Sequence, residues 1–117
     1  MSKKSQMKAV EIKSKSLDQL SEDVQSAYKG YTSTSPNWSG NYKGQAPGVR
    51  AGKRYMNRSE LLPTIDGSGN RITYREFDIN PKVGTSRDAE RFVVGSDESV
   101  YFIDDHYDSF IKIKERN

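Results

Sequence analysis

Glu76, Arg87, Arg91 and His106 are the residues whose types and order could together do chemistry, and His106 is the only histidine in the chain. A carboxylate, two guanidinium groups four residues apart and one imidazole suit the metal-free cleavage of RNA. The carboxylate can take the proton from a ribose 2′-hydroxyl, the guanidinium groups can stabilise charge growing on phosphorus, and an imidazolium can protonate the departing 5′-oxygen. The plain alternatives are a surface ion pair of little energetic weight and a solvated histidine in a turn.

Strands must hold these groups. Residues 72–78, 91–94 and 100–103 alternate as half-buried strands do, residues 110–114 form a short closing strand, and residues 53–56 an earlier one. Period two places Thr73, Arg75, Phe77 and Ile79 on one face and Tyr74, Glu76 and Asp78 on the other. If Phe92 and Val94 face the core, Arg91 turns to the face of the carboxylates, where Asp78 can orient the arginines. Ahead of the sheet, Ser16-Leu17-Asp18-Gln19 fits a capping box, and Leu17, Leu20, Val24 and Tyr28 recur at helical spacing as far as Gly30. This predicts one amphipathic helix packed on the sheet. Residues 31–52 are rich in turn formers and carry Trp38 and Tyr42, which are expected to cover the core rather than stack on bases.

The order and spacing of further residues resemble those of the microbial ribonucleases of the barnase type. The likeness rests on Tyr74-Arg75-Glu76, Asp78-Ile79-Asn80, Arg87, Arg91, Asp104-Asp105-His106-Tyr107, Phe110 and Lys112-Ile113. Ala46-Pro47-Gly48, Asn57-Arg58 and Pro63 extend it upstream, so that it covers roughly residues 46–113. It implies an α+β domain with one or more N-terminal helices packed on a twisted antiparallel sheet whose open face takes RNA. The implied activity is that of a guanyl-preferring endoribonuclease working through a 2′,3′-cyclic phosphate, with no metal or organic cofactor. Glu76 would be the general base, His106 the general acid, Arg91 and Arg87 the phosphate ligands and Asp78 their orienting group, with Tyr107 either a hydrogen-bond donor to phosphate or a packing residue.

Asn57, Arg58 and Glu60 are candidates for substrate binding, with a well-bonded turn as the alternative: they fall in a loop that resembles the family's base-recognition loop, in which backbone amides and one glutamate read guanine. Here Ser59 stands where that glutamate is expected, and Glu60 follows one place later. The loop between Glu76 and Arg87 is one residue longer than in the best-known member. A phosphate-binding lysine on the helical half is also implied; Lys29 and Lys43 lie near that region, but no motif aligns either. The resemblance implies a small acidic inhibitor protein as a partner. It also implies a protein that is secreted or delivered into a target cell as a toxin domain. The alternative from another class is an RNA-binding or partner-binding module that keeps the fold without the chemistry.

Composition bounds these readings. A chain of 117 residues makes one domain, with residues 1–15 as a flexible basic lead-in, 16–45 as a helical part and 46–114 as a sheet part. Only 32% of residues are hydrophobic against 30% charged, so the core must be small. The lack of cysteine excludes disulfides and thiolate metal sites, and a single histidine argues against zinc. No apolar run approaches the ~20 residues of a membrane span, and the first residues have no signal-peptide core. A monomer is expected. Residues 1–60 hold 11 Lys and Arg against 5 Asp and Glu, whereas residues 61–117 hold 8 against 11, so the first half can help attract a polyanion.

Overall fold

The computed structural model describes residues 12–81, 90–104 and 109–114; Arg87, His106, Tyr107 and residues 1–11 lie outside this set. Among the described residues, six strands make one sheet: β1 Lys13–Ser16, β2 Ala51–Tyr55, β3 Tyr74–Asp78, β4 Arg91–Gly95, β5 Val100–Ile103 and β6 Phe110–Lys114. Strands β2 to β6 follow one another as an antiparallel meander, and β1 adds outside β6 in parallel. The sheet is therefore mixed rather than wholly antiparallel. Residues 13–15, expected in a loose lead-in, belong to its edge. The sequence Lys-Ser-Lys-Ser has no apolar alternation, but an edge strand needs only backbone partners on one side, and lysine on such an edge discourages further pairing.

The helical segment is divided. A 3₁₀ turn, Leu17–Gln19, precedes α1, Glu22–Tyr31, where the periodicity predicted one continuous helix. Two caps in succession explain the break. The Gln19 side-chain oxygen accepts from the Ser16 amide at 2.9 Å, Leu20 is extended, and Ser21 Oγ then accepts from the Val24 amide at 3.4 Å to start α1. Glu22 and Asp23 in the first turn and Lys29 in the last suit the helix dipole.

One face of α1 buries Val24, Ala27 and Tyr31 against Phe77, Phe92, Val94, Val100, Phe102 and Ile113 of the sheet. Trp38 completes this core from the following loop, stacking on Tyr31 with ring centroids 5.3 Å apart and meeting Phe77 and Phe92 edge-on at 5.1 and 5.3 Å. Tyr42 closes over α1 so tightly that a Cβ on Gly30 would lie 2.5 Å from its ring, so any larger residue there would displace the ring. Both aromatic residues of the loop thus serve the core.

The opposite face is not simply open. Tyr74, Val93, Tyr101, Ile103 and Phe110 form a second apolar cluster on it, roofed by Leu62 and Ile72. The charged residues of β3 and β4 sit beside this cluster.

Tyr31 ties the first core to the site strand. Its hydroxyl donates to the Asp78 carbonyl at 2.6 Å and accepts from Gln45 Nε2 at 2.7 Å, while the Asp78 amide donates to the Arg50 carbonyl at 2.8 Å. Burial is the main reason its pKa is pushed up from 10.0 to about 12; the hydrogen bond from Gln45 offsets part of that rise, and Tyr42 and Asp78 add to it. An unfolded chain would lose this proton first, so the contribution to stability is complete below about pH 10 and is lost as pH rises through about 12. Tyr31→Phe is expected to lower stability near neutral pH by roughly 1–3 kcal/mol, measured by denaturant unfolding. It should also flatten the alkaline decline of the melting temperature, and an unchanged decline would mean that other tyrosines set it.

Candidate active site

Register builds the site row by row. Across β3 and β4, Asp78 lies opposite Arg91, and Glu76 lies opposite Val93. Phe77 and Phe92, the pair between them, point into the core beneath α1, so alternation sends Glu76, Asp78 and Arg91 to the other side. The expected meeting of carboxylate and arginine is present: Arg91 Nη1 stands 3.9 Å from Glu76 Oε1.

The pair is not a surface ion pair. The side chains of Arg91 and Glu76 are only 7% and 12% exposed, and Asp78 is 1% exposed. Removing one charge from such a group leaves another stranded in a poorly hydrated place, a change far costlier than breaking an exposed pair. Fixed charges of this kind also stabilise a charged transition state without having to reorganise.

Glu76 forms one end of a groove of about 540 Å³ whose other walls are Arg54 to Ser59, with Arg58 exposed on its rim. The loop is built around Asn57, which adopts φ 53° and is buried. Asn57 Nδ2 donates to the Leu62 carbonyl at 3.0 Å, and its Oδ1 accepts from the Leu62 amide at 3.2 Å. Leu62 is buried in the second cluster, and Tyr74 donates its hydroxyl hydrogen to the Pro63 carbonyl at 2.7 Å. The Asn57 side chain therefore acts inside the loop, holding its shape, and Arg58 and Ser59 face the groove.

Glu60 lies elsewhere. With φ 57° it lines a separate hollow of about 70 Å³ together with Thr64, Arg71 and Tyr74, and the two cavities share Arg54 to Asn57 as a common wall. Met56 and Tyr55, which sequence reasoning did not single out, also line the groove; Met56 is 52% exposed although hydrophobic. An apolar residue directly before a turn was their one available signal. Lys29 sits on α1, on the far side of the sheet from Glu76. Among the described residues, no group of three or more His, Cys, Asp or Glu side chains is placed to share a metal ion.

A little-exposed carboxylate and guanidinium thus share one strand face beside a braced loop in an α+β domain, and comparison with known proteins gives the family. A family model for ribonuclease matches residues 3–114. The chain is 40% identical over 76 residues to a ribonuclease of Heyndrickxia coagulans, covering 64% of this chain and 65% of that protein. It is equally similar to ribonucleases of Bacillus intermedius and Bacillus pumilus, where the match covers 44% of each. The matched stretch is thus less than two thirds of these relatives' lengths. The chain belongs to the ribonuclease family, in agreement with its barnase-type motifs.

Asn57→Ala removes both bonds to buried Leu62 and puts at positive φ a residue that tolerates it less well than asparagine, so a loss of roughly 1–3 kcal/mol is expected in denaturant unfolding. Asn57→Gly keeps the backbone freedom and should recover part of that loss. The Leu62 amide should exchange with solvent faster in both variants; unchanged exchange would refute the bracing role.

Proposed function

We propose that this protein is a metal-independent endoribonuclease acting on single-stranded RNA. The observation that carries the reading is the Glu76–Arg91 pair, held at 3.9 Å with little exposure at the end of a groove walled by the Asn57-braced loop. Glu76 takes the proton of the 2′-hydroxyl, whose oxygen attacks phosphorus. Arg91 and Arg87 hold the phosphoryl oxygens as negative charge grows on them, with Asp78 orienting Arg91 across the ladder and Tyr107 donating to a phosphate oxygen. His106 protonates the leaving 5′-oxygen. Water then opens the 2′,3′-cyclic phosphate, with Glu76 and His106 exchanging roles.

The base would lie in the groove against residues 57–59. Ser59 can offer only a single weak acceptor there, and Glu60 lines the other hollow, so guanine is read mainly by the loop's backbone and the preference is relaxed. A small acidic inhibitor protein would suit the cationic groups around the site. The enzyme would act as a monomer outside its producer, either secreted or delivered as a toxic domain. Among the described residues no helix is long and apolar enough to cross a membrane.

Cleavage should persist in excess EDTA, leave cyclic or 3′-phosphate ends and spare DNA, which lacks the attacking hydroxyl. Products with 5′-phosphate ends would defeat this mechanism. Glu76→Gln and His106→Ala should each reduce turnover by roughly 10² to 10⁴ while RNA binding falls less. Binding without cleavage in the wild type would instead favour the non-catalytic module.

For the base, the ratio of kcat/KM for guanosine and adenosine dinucleotides should be the same in Glu60→Ala as in the wild type. A selective fall for guanosine would show that Glu60 reaches the base after all.

A further inference from the structure

The edge strand β2 changes face part-way along. Ala51 packs with the core beneath α1, whereas Tyr55 packs with the second cluster on the opposite side. Residues 51 and 55 have the same parity, so an unbroken strand would keep both on one face. The switch occurs at the register shift between Ala51 and Lys53, where Gly52 has φ 87°. A bulge of this kind inserts one residue and re-aims the side chains that follow. Its result is that Lys53 pairs directly with Glu76 and points to the face that carries the Glu76–Arg91 pair.

From this placement we infer that Lys53 is a further phosphate-binding residue of the site; the inference rests on the ribonuclease reading above. Glu76 is flanked on the β4 side by Arg91 and on the β2 side by Lys53, directly opposite it in the ladder. Lys53 is exposed, and its ammonium is not engaged in a salt bridge with any described residue. A phosphate brought to Glu76 by its ribose therefore meets cations from both neighbouring strands. Arg91 is nearly buried and fixed, whereas Lys53, on a flexible stem, can follow the phosphate as its geometry changes. Lysine on an edge strand also has a plain structural use in blocking further pairing, and that use predicts no kinetic role.

The test compares Lys53→Met and Lys53→Arg with the wild type on guanylyl-3′,5′-uridine, which contains only the scissile phosphate, and on a longer oligoribonucleotide. Lys53→Met should lower kcat/KM on the dinucleoside by roughly 10- to 100-fold, the range for a lost hydrogen bond to a charged group. Lys53→Arg should recover most of it, with the thermal midpoint unchanged in both. In parallel, the affinity for guanosine 3′-monophosphate, measured by calorimetry, should fall about tenfold or more in Lys53→Met. That binding readout stays informative even if the wild type cleaves neither substrate, an outcome that would overturn the endoribonuclease reading instead. Unchanged dinucleoside kinetics and nucleotide affinity would overturn the role of Lys53. So would a loss confined to the longer RNA, which would reduce Lys53 to general attraction of a polyanion.

Discussion

Charged side chains held out of water in the middle of a sheet are the constraint on which this molecule turns. Asp78 and Arg91 face each other across β3 and β4 with 1% and 6% exposure, and Glu76 stands diagonally beside them. Desolvating each ion costs several kcal/mol, and only close opposite charge and saturated hydrogen bonding can offset that cost. The cluster must therefore be present as a set. The same requirement that makes it awkward for stability keeps its charges at fixed positions, which is the condition for electrostatic catalysis.

The rest of the architecture keeps that set in place. Phe77 and Phe92, interleaved with the charged residues, are fully buried under α1 and Trp38, so neither β3 nor β4 can slip by one residue without exchanging aromatic for charged side chains. Tyr31 reaches from α1 to the carbonyl of Asp78, which fastens the site strand from behind. On the opposite face, the second cluster buries Leu62 and thereby fixes the loop that faces Glu76. Two small cores, one on each face, thus act on the same pair of strands.

Much of this was legible wherever apolar and charged residues alternate. The period-two pattern in β3 and β4 separates Phe77 and Phe92 from Glu76 and Arg91, and the sheet follows it. β1 was not legible, because Lys13–Ser16 contains nothing apolar and owes its strand conformation to the backbone of β6. The break at Leu20 was hidden because both Ser16 and Ser21 are competent caps, and apolar spacing runs through them. The bulge at Gly52 was hidden for a related reason: it cancels the alternation that sequence reading relies on, so Lys53 reads as a residue of ordinary parity. The division of Ser59 and Glu60 between two cavities depends on positive φ at Asn57 and Glu60, which residue types alone do not dictate.

The pairing of β1 with β6 has a consequence for the order in which the sheet assembles. Every other ladder joins strands that are neighbours in the chain, whereas β1 pairs Lys13 with Ile111 and Ser16 with Lys114, near opposite ends of the sequence. Loop-closure entropy penalises such a distant contact until the intervening meander has drawn the two segments together. On these grounds β1 is the strand that zips on last and peels away first. Its departure would leave the β6 edge open to pairing with a neighbouring chain, in addition to the β2 edge at the other end of the sheet.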